Sequence, residues 1–136
     1  MFEKPFDVEI VAPDRVVFRD QVTAVSFPGT VGGFQVLHSH APLLSSIVTG
    51  LITIKDREGR DHLFATSGGF VEVRNNVVVV LAESAERAEE IDVQRATAAR
   101  ERAEQRLRGK GPDLNAVRAD AALCRALNRL RVAGKA

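Results

Sequence analysis

The sequence predicts an α+β protein: an N-terminal β-sandwich followed by a C-terminal antiparallel two-helix hairpin. Three observations carry this. Up to Ser84, β-branched and aromatic residues alternate with polar ones between glycine and proline turns, the mark of half-buried strands. From Ala85 the composition changes to alanine, arginine and glutamate at helical spacing. Gly109-Lys110-Gly111-Pro112 then interrupts the helical pattern once, and a short link between two helices makes a hairpin. These changes divide the chain into a sandwich over 1–84, a hinge over 85–91 and a helical hairpin over 92–136.

The strands follow in order. Phe6, Val8 and Ile10 alternate with Asp7 and Glu9, and Ala12-Pro13-Asp14 turns the chain into a second short strand, Val16 to Phe18. Val25 and Phe27 keep the period of two before Pro28-Gly29. A glycine-rich excursion through Gly32 and Gly33 leads into Phe34 to Leu37. Pro42 and Gly50 bracket a strand ending in Ile47 and Val48. Leu51 to Ile54 enters the polar stretch Lys55 to Asp61, read as a hairpin loop. Leu63 to Thr66, Phe70 to Val73 and Val77 to Ala82 complete the set, giving nine or ten strands. Val77 to Leu81 has no polar alternation, so it is expected as a central strand covered on both faces.

Asp92 is placed to cap the first helix, where its carboxylate accepts from free backbone donors of the first turn. Val93, Ala96, Ala99, Ala103 and Leu107 form one apolar stripe, and the helix is expected to end by Arg108. Asp113 is expected to cap a second helix with the stripe Ala116, Ala119, Leu123, Ala126 or Leu127, and Leu130. Alanine stripes bury little area, so the hairpin should be marginal by itself and open to being set by a ligand or partner.

Composition narrows the function. An apolar fraction of 45% and a charged fraction of 27% exclude a disordered chain. Cys124 is the single cysteine, so no internal disulfide forms and a reducing compartment is the natural reading. No secretory signal pattern opens the sequence, and no apolar run approaches the roughly 20 residues of a spanning helix, which reads as a soluble, untargeted protein. The net charge of +1 hides an asymmetry: 7 Lys and Arg against 10 Asp and Glu through Ser84, then 12 against 8. A basic tail on an acidic body points to an anionic partner; the alternative is a tail whose charges only keep alanine-rich helices in solution.

The arginines of the tail have a pattern. Arg95, Arg102 and Arg106 lie at i, i+7 and i+11, and Arg118, Arg125 and Arg129 repeat that spacing, so each helix carries one basic row. Rows facing a common groove would bind a polyphosphate through guanidinium forks; rows facing outward would be a solvated surface. His38 and His40 resemble half of a cupin metal motif, but Leu43, Leu44 and Ser45 stand where its glutamate belongs, and nothing places His62 nearby, so no metal site is expected. Gly29-Thr30-Val31-Gly32-Gly33 lacks the lysine of a phosphate cradle. No paired carboxylates, serine elbow or catalytic cysteine pattern is present, and no catalytic residues are expected. A nucleic-acid-binding module using the basic hairpin is the competing class, opposed by the near-neutral total charge and the absence of tryptophan and tyrosine.

Several stretches together resemble the epsilon subunits of F-type ATP synthases, called delta in mitochondria. They are Phe27-Pro-Gly-Thr-Val-Gly-Gly-Phe-Gln-Val-Leu37 leading to His40-Ala-Pro-Leu-Leu44, Ser67-Gly-Gly-Phe-Val-Glu-Val73, Val80-Leu-Ala82, Ala85 to Ala96, and Arg125-Ala-Leu-Asn-Arg-Leu130. The resemblance implies a ten-stranded sandwich seated on the rotor of a proton-translocating complex. It implies contacts with the gamma subunit and, through Thr30, Val31, Gly32, Gly33 and His38, with the c-ring. This loop differs from many relatives: Val31 replaces an acid, Gln35 a glycine, and His38-Ser39 a Pro-Gly pair. The implied place is the cytoplasmic face of the bacterial plasma membrane, peripheral through the complex.

The resemblance also implies a non-catalytic regulatory role. Extended along gamma, the hairpin would bring the basic face of Arg118, Arg125 and Arg129 to the alpha and beta subunits and inhibit ATP hydrolysis. Folded, it would bind ATP through the signature Ile91, Asp92, Arg95 and Ala96 together with Glu86, Arg102, Arg125 and Arg129. ATP is then a regulatory ligand, no cofactor is required, and the part of magnesium is open.

Overall fold

A computed structural model describes residues 4–109 and 115–136. Nine strands are present: β1 (Phe6–Ala12), β2 (Arg15–Phe27), β3 (Phe34–Val36), β4 (Leu43–Ile47), β5 (Gly50–Asp56), β6 (Asp61–Thr66), β7 (Gly69–Arg74), β8 (Val77–Ala82) and β9 (Ala85–Arg87). A short 3-10 turn, Ala88–Glu90, joins them to the helices α1 (Val93–Arg108) and α2 (Ala116–Ala133). The strands hydrogen-bond in the order β4-β7-β8-β1-β2-β5-β6-β9, with β3 also on β2.

The sandwich closes because β2 serves both layers. Its first half pairs with β1 (Phe6 with Val22, Ile10 with Phe18), and its second half pairs with β3 and β5 (Val25 with Val36 and Ile54). A register shift between Val22 and Ala24 marks the change of partners, as expected of a bulge that bends a strand. The two short strands expected at Val16–Phe18 and Val25–Phe27 are therefore one strand of 13 residues. Counting them once leaves eight of the strands read from sequence, and β9 brings the total to nine, within the nine or ten expected. Inward residues of both layers, among them Val8, Ile10, Val25, Ile52, Ile54, Phe64, Val71, Val78 and Val80, fill one apolar core.

Local chemistry sets the turns. Asn75 and Asn76 both take left-handed backbone (φ 52° and 60°) and reverse the chain in two residues, with Arg74 paired to Val77. The loop expected over Lys55 to Asp61 is shorter than its polarity implies, because Lys55 pairs with Asp61 and the sheet continues to Asp56. The Asp56 carboxylate draws the turn together by accepting from the backbone N–H groups of Glu58 and Arg60, each at 2.9 Å.

One further expectation is corrected. β8 is not covered on both faces: Val78, Val80 and Ala82 point into the core while Val77 and Leu81 are exposed. Leu81 stands beside Phe70 on β7 and Val11 on β1, and Leu44 lies diagonal to Phe70, so the outer face of this layer carries an open apolar strip between the charged side chains of Asp7, Glu72 and Arg74. Within the stretch 85–91, expected as a hinge, Ala85, Glu86 and Arg87 pair with Thr66, Ala65 and Phe64, which leaves the hinge expectation itself open.

The helical expectations are met in outline. Asp92 caps α1 by accepting from the Arg95 N–H at 3.0 Å, and α1 ends at Arg108. The cap of α2 is Asn115, which accepts from the Arg118 N–H at 3.1 Å; Asp113, expected in that role, and the link at 110–112 lie outside the described residues. The stripes are shorter than their periodicity suggests. Ala96, Ala103, Ala119 and Ala126 are buried, whereas Val93 and Leu127 are exposed and Ala116 faces solvent.

The hairpin lies on the sandwich through α2, which packs on β5, β6 and the 3-10 turn. A second apolar cluster forms there from Ala65, Ala88, Ile91 and Val132, with Leu51, Leu63 and Ala133 at its margin. Asn128 fastens this contact. It is 5% exposed and its Nδ2 donates to the carbonyl oxygens of Gly50 (2.9 Å) and Thr66 (3.4 Å).

Candidate functional site

Between the hairpin and the sandwich lies an open cleft of about 600 Å³. α1 contributes Arg95, Arg102 and Arg106, which is the whole first basic row. From α2 come Arg125 and Arg129 of the second row; its remaining member, Arg118, does not line the cleft. The two rows do face a common groove, over most of their length. Small residues on the same walls, Ala99, Ala103, Ala122 and Ala126, let the helices approach closely and leave room between the guanidinium stems.

The sandwich supplies the opposite wall through Pro13, Asp14 and Arg15 of the β1–β2 turn, the Thr66-Ser67 end of β6, and Glu83 to Glu86. Six arginines thus meet three carboxylates, Asp14, Glu83 and Glu86, an excess of three positive charges. Among the described residues only Arg129 of the six is in an ion pair, with Glu86. Ser67 and Ser84 add hydroxyl groups 2.7 Å apart at the rim. The site is concave, cationic and bears hydroxyl groups, the chemistry that complements a polyanion.

Placement within the expected nucleotide set is uneven. Glu86, Arg95, Arg102, Arg125 and Arg129 line the cleft. Ile91, Asp92 and Ala96 do not. Ile91 is 8% exposed in the apolar cluster under α2, Asp92 caps α1, and Ala96 is fully buried. The signature therefore has a clear mechanical reading in this structure. Its isoleucine anchors the helix start, its aspartate begins the helix, and its alanine permits close packing, which together aim Arg95 at the cleft. Sequence reasoning placed Arg106 in the row without assigning it a ligand, and it missed Arg15. Only the folding of the β1–β2 turn against the helices brings Arg15 here, and no local pattern marks it.

The Thr30–Gly33 loop is a separate feature at the sandwich surface. The Gly32 N–H closes a turn on the Gly29 carbonyl at 3.1 Å, Gly32 has φ 135°, and Val31 at its tip is fully exposed. Thr30 and Ser46 share a hydroxyl hydrogen bond of 2.6 Å that fixes the loop to β4. His38 bonds Ser39 through Nδ1 at 2.9 Å, and His40 Nδ1 bonds the Ala41 carbonyl at 2.7 Å, so both rings shape the following loop. Among the described residues no three His, Cys, Asp or Glu side chains converge on one point. His62 instead bonds Asp56 and packs on Phe18, with Arg87 stacked over Phe18 and Phe64. Cys124 is exposed on α2, and among the described residues no helix is long and apolar enough to cross a membrane.

A β-sandwich carrying a docked α-hairpin, with a cationic cleft between them, defines the class of protein. Comparison with known proteins gives the family. The family description "ATP synthase, Delta/Epsilon chain, beta-sandwich domain" matches residues 5–88, and "ATP synthase, Delta/Epsilon chain, long alpha-helix domain" matches residues 89–134. The chain belongs to the ATP synthase delta/epsilon chain family, as a subunit of the epsilon type that is not itself the catalyst. It is 51% identical to the ATP synthase epsilon chain of Nitratidesulfovibrio vulgaris strain DP4, over 98% of this chain and 99% of that one. It is 47% identical to that of Moorella thermoacetica, over 94% and 96%. A chain in the structure of the Euglena gracilis mitochondrial ATP synthase shares the fold, with a TM-score of 0.78, 21% identity and coverage of 91% of this chain and 78% of that one.

Proposed function

We propose that this central-stalk subunit couples the gamma shaft to the c-ring in a bacterial proton-translocating ATP synthase, and that its hairpin senses ATP to control hydrolysis. The complex would hold it peripherally at the cytoplasmic face of the plasma membrane. The observation that carries the sensing role is the convergence of Arg95, Arg102, Arg106, Arg125 and Arg129 on one cleft. Turning arginines towards one another costs electrostatic energy, and a triphosphate offsets it by matching the excess of three positive charges.

Two surfaces suit the rotor. The exposed apolar strip of Leu44, Phe70, Val77 and Leu81, rimmed by Asp7, Glu72 and Arg74, is of the kind that marks a protein contact, and gamma is the partner it would take. Thr30, Val31, Gly32 and Gly33, with His38, form the loop region that would meet the polar loops of the c-ring.

Regulation follows from linkage. The hairpin rests on a small apolar cluster, the Asn128 bonds and the Glu86–Arg129 pair, so its docking is weak enough to be reset. A ligand bound only by the docked form stabilises it by RT ln(1 + [L]/Kd), about 2.7 kcal/mol at one hundred times Kd. Without ATP the hairpin would extend along gamma, freeing Arg125 and Arg129 to join Arg118 in a basic face for the alpha and beta subunits. The nucleic-acid reading is opposed by Asp14, Glu83 and Glu86, carboxylates that stand in the same cleft as the arginines.

A calorimetric titration of the chain with ATP tests this, beside Arg125→Ala. Saturable binding that weakens tenfold or more in the variant supports the sensor. No binding by the parent chain refutes the sensor and leaves the coupling role.

A further inference from the structure

The wall of the cleft opposite the helices contains a single cation, Arg15. Its position is set by the sheet. Pro13 and Asp14 form a two-residue turn between β1 and β2, closed by the pairing of Ala12 with Arg15. Its backbone therefore cannot follow the hairpin if the hairpin moves. The Arg15 side chain is exposed and, among the described residues, has no ion pair. The other five arginines of the cleft all come from α1 and α2.

We propose that Arg15 is a direct phosphate contact from the sandwich, so that a bound nucleotide is gripped at its phosphates by both bodies and not only bordered by Glu86 on the sandwich side. This rests on the nucleotide reading above. The consequence is mechanical. A ligand touching only α1 and α2 would favour the docked form only through whatever docking changes within the hairpin itself. A ligand that also grips Arg15 binds the docked form better, and that differential affinity is what a docking switch requires. Arg15 is suited to this because a guanidinium offers several donors to phosphate oxygens and stays charged at any physiological pH.

The test is calorimetric titration of the full chain with ATP, for the parent, Arg15→Ala, Arg15→Lys and Arg125→Ala, with thermal unfolding of each variant in the absence of nucleotide. Arg15→Ala should weaken ATP binding about tenfold, the size expected for one charge-assisted contact. Arg15→Lys should recover part of the loss, and the melting temperature without ATP should match the parent. Amide exchange adds a second readout: ATP should protect α2 amides near Asn128 in the parent and protect them less in Arg15→Ala. Affinity of Arg15→Ala within twofold of the parent, alongside loss in Arg125→Ala, would overturn this inference and keep the nucleotide reading. A lowered melting temperature in Arg15→Ala without ATP would assign Arg15 a structural role and overturn it as well. A parent chain that binds no ATP would sink both.

Discussion

Arg129 of α2 pairs with Glu86 of β9 across 43 residues of sequence, Nε to Oε1 and Nη2 to Oε2, the latter at 3.3 Å. This fork joins the last helix to the strand that ends the sandwich, at the floor of the cleft. Both side chains are a little over one quarter exposed, so the pair is partly screened by water and its stability contribution is modest. We expect Glu86→Gln to lower stability by no more than about 1 kcal/mol, with the difference from the parent shrinking as salt is raised. Urea unfolding at two ionic strengths measures it.

Asn128 should matter more than its neighbour. Its amide satisfies the Gly50 and Thr66 carbonyls inside the docking contact, and leaving such groups unpaired costs about 1–3 kcal/mol. Asn128→Ala should therefore raise amide exchange throughout α1 and α2 while leaving β1, β2 and β8 protected. Asn128→Asp should be worse, because a carboxylate presents oxygen where both partners are acceptors.

Acid should weaken the β5–β6 turn through Asp56. The His62 hydrogen bond, then the Arg60 and Glu58 N–H groups, hold the Asp56 carboxyl below its ordinary value. A depressed folded-state value contributes stability above the unfolded-state pKa of about 3.9, and that contribution is lost as pH falls below it. Asp56→Asn should therefore be less stable than the parent at neutral pH and converge towards it below about pH 4. Urea midpoints measured from pH 7 down to pH 3 give the comparison.

Phe70 is 58% exposed on the open sheet face. Phe70→Ser should leave the melting temperature of the isolated chain within a few degrees of the parent and weaken its association with gamma at least tenfold, by burial of about 100 Å² of apolar surface forgone. Unchanged association in a pull-down titration with purified gamma would move the gamma contact elsewhere on the sandwich.

Much of this architecture was legible residue by residue. Pro13-Asp14 announced a tight turn, Asp92 announced a helix start, and the 7-and-11 spacing put arginines in rows. Each is a local rule: capping, turn conformation and helical period involve neighbours within one or two turns of chain. The same rules misjudged Val77 to Leu81, because a run of valines reads as buried whichever face is later left open. They also missed β9, too short at three residues to show a period.

What the sequence by itself determined is the order of elements, the change from strand to helix near Ala85 and the face of each helix that carries charge, since all three follow from spacing along one chain. Only the tertiary structure decided that those charged faces close on the sandwich, that Asn128 fastens them to Gly50 and Thr66, and that Arg15 stands among arginines 80 or more residues away. Those outcomes depend on how two separately patterned bodies dock, a contact of few residues and small area whose partners carry no mark in their own local sequence.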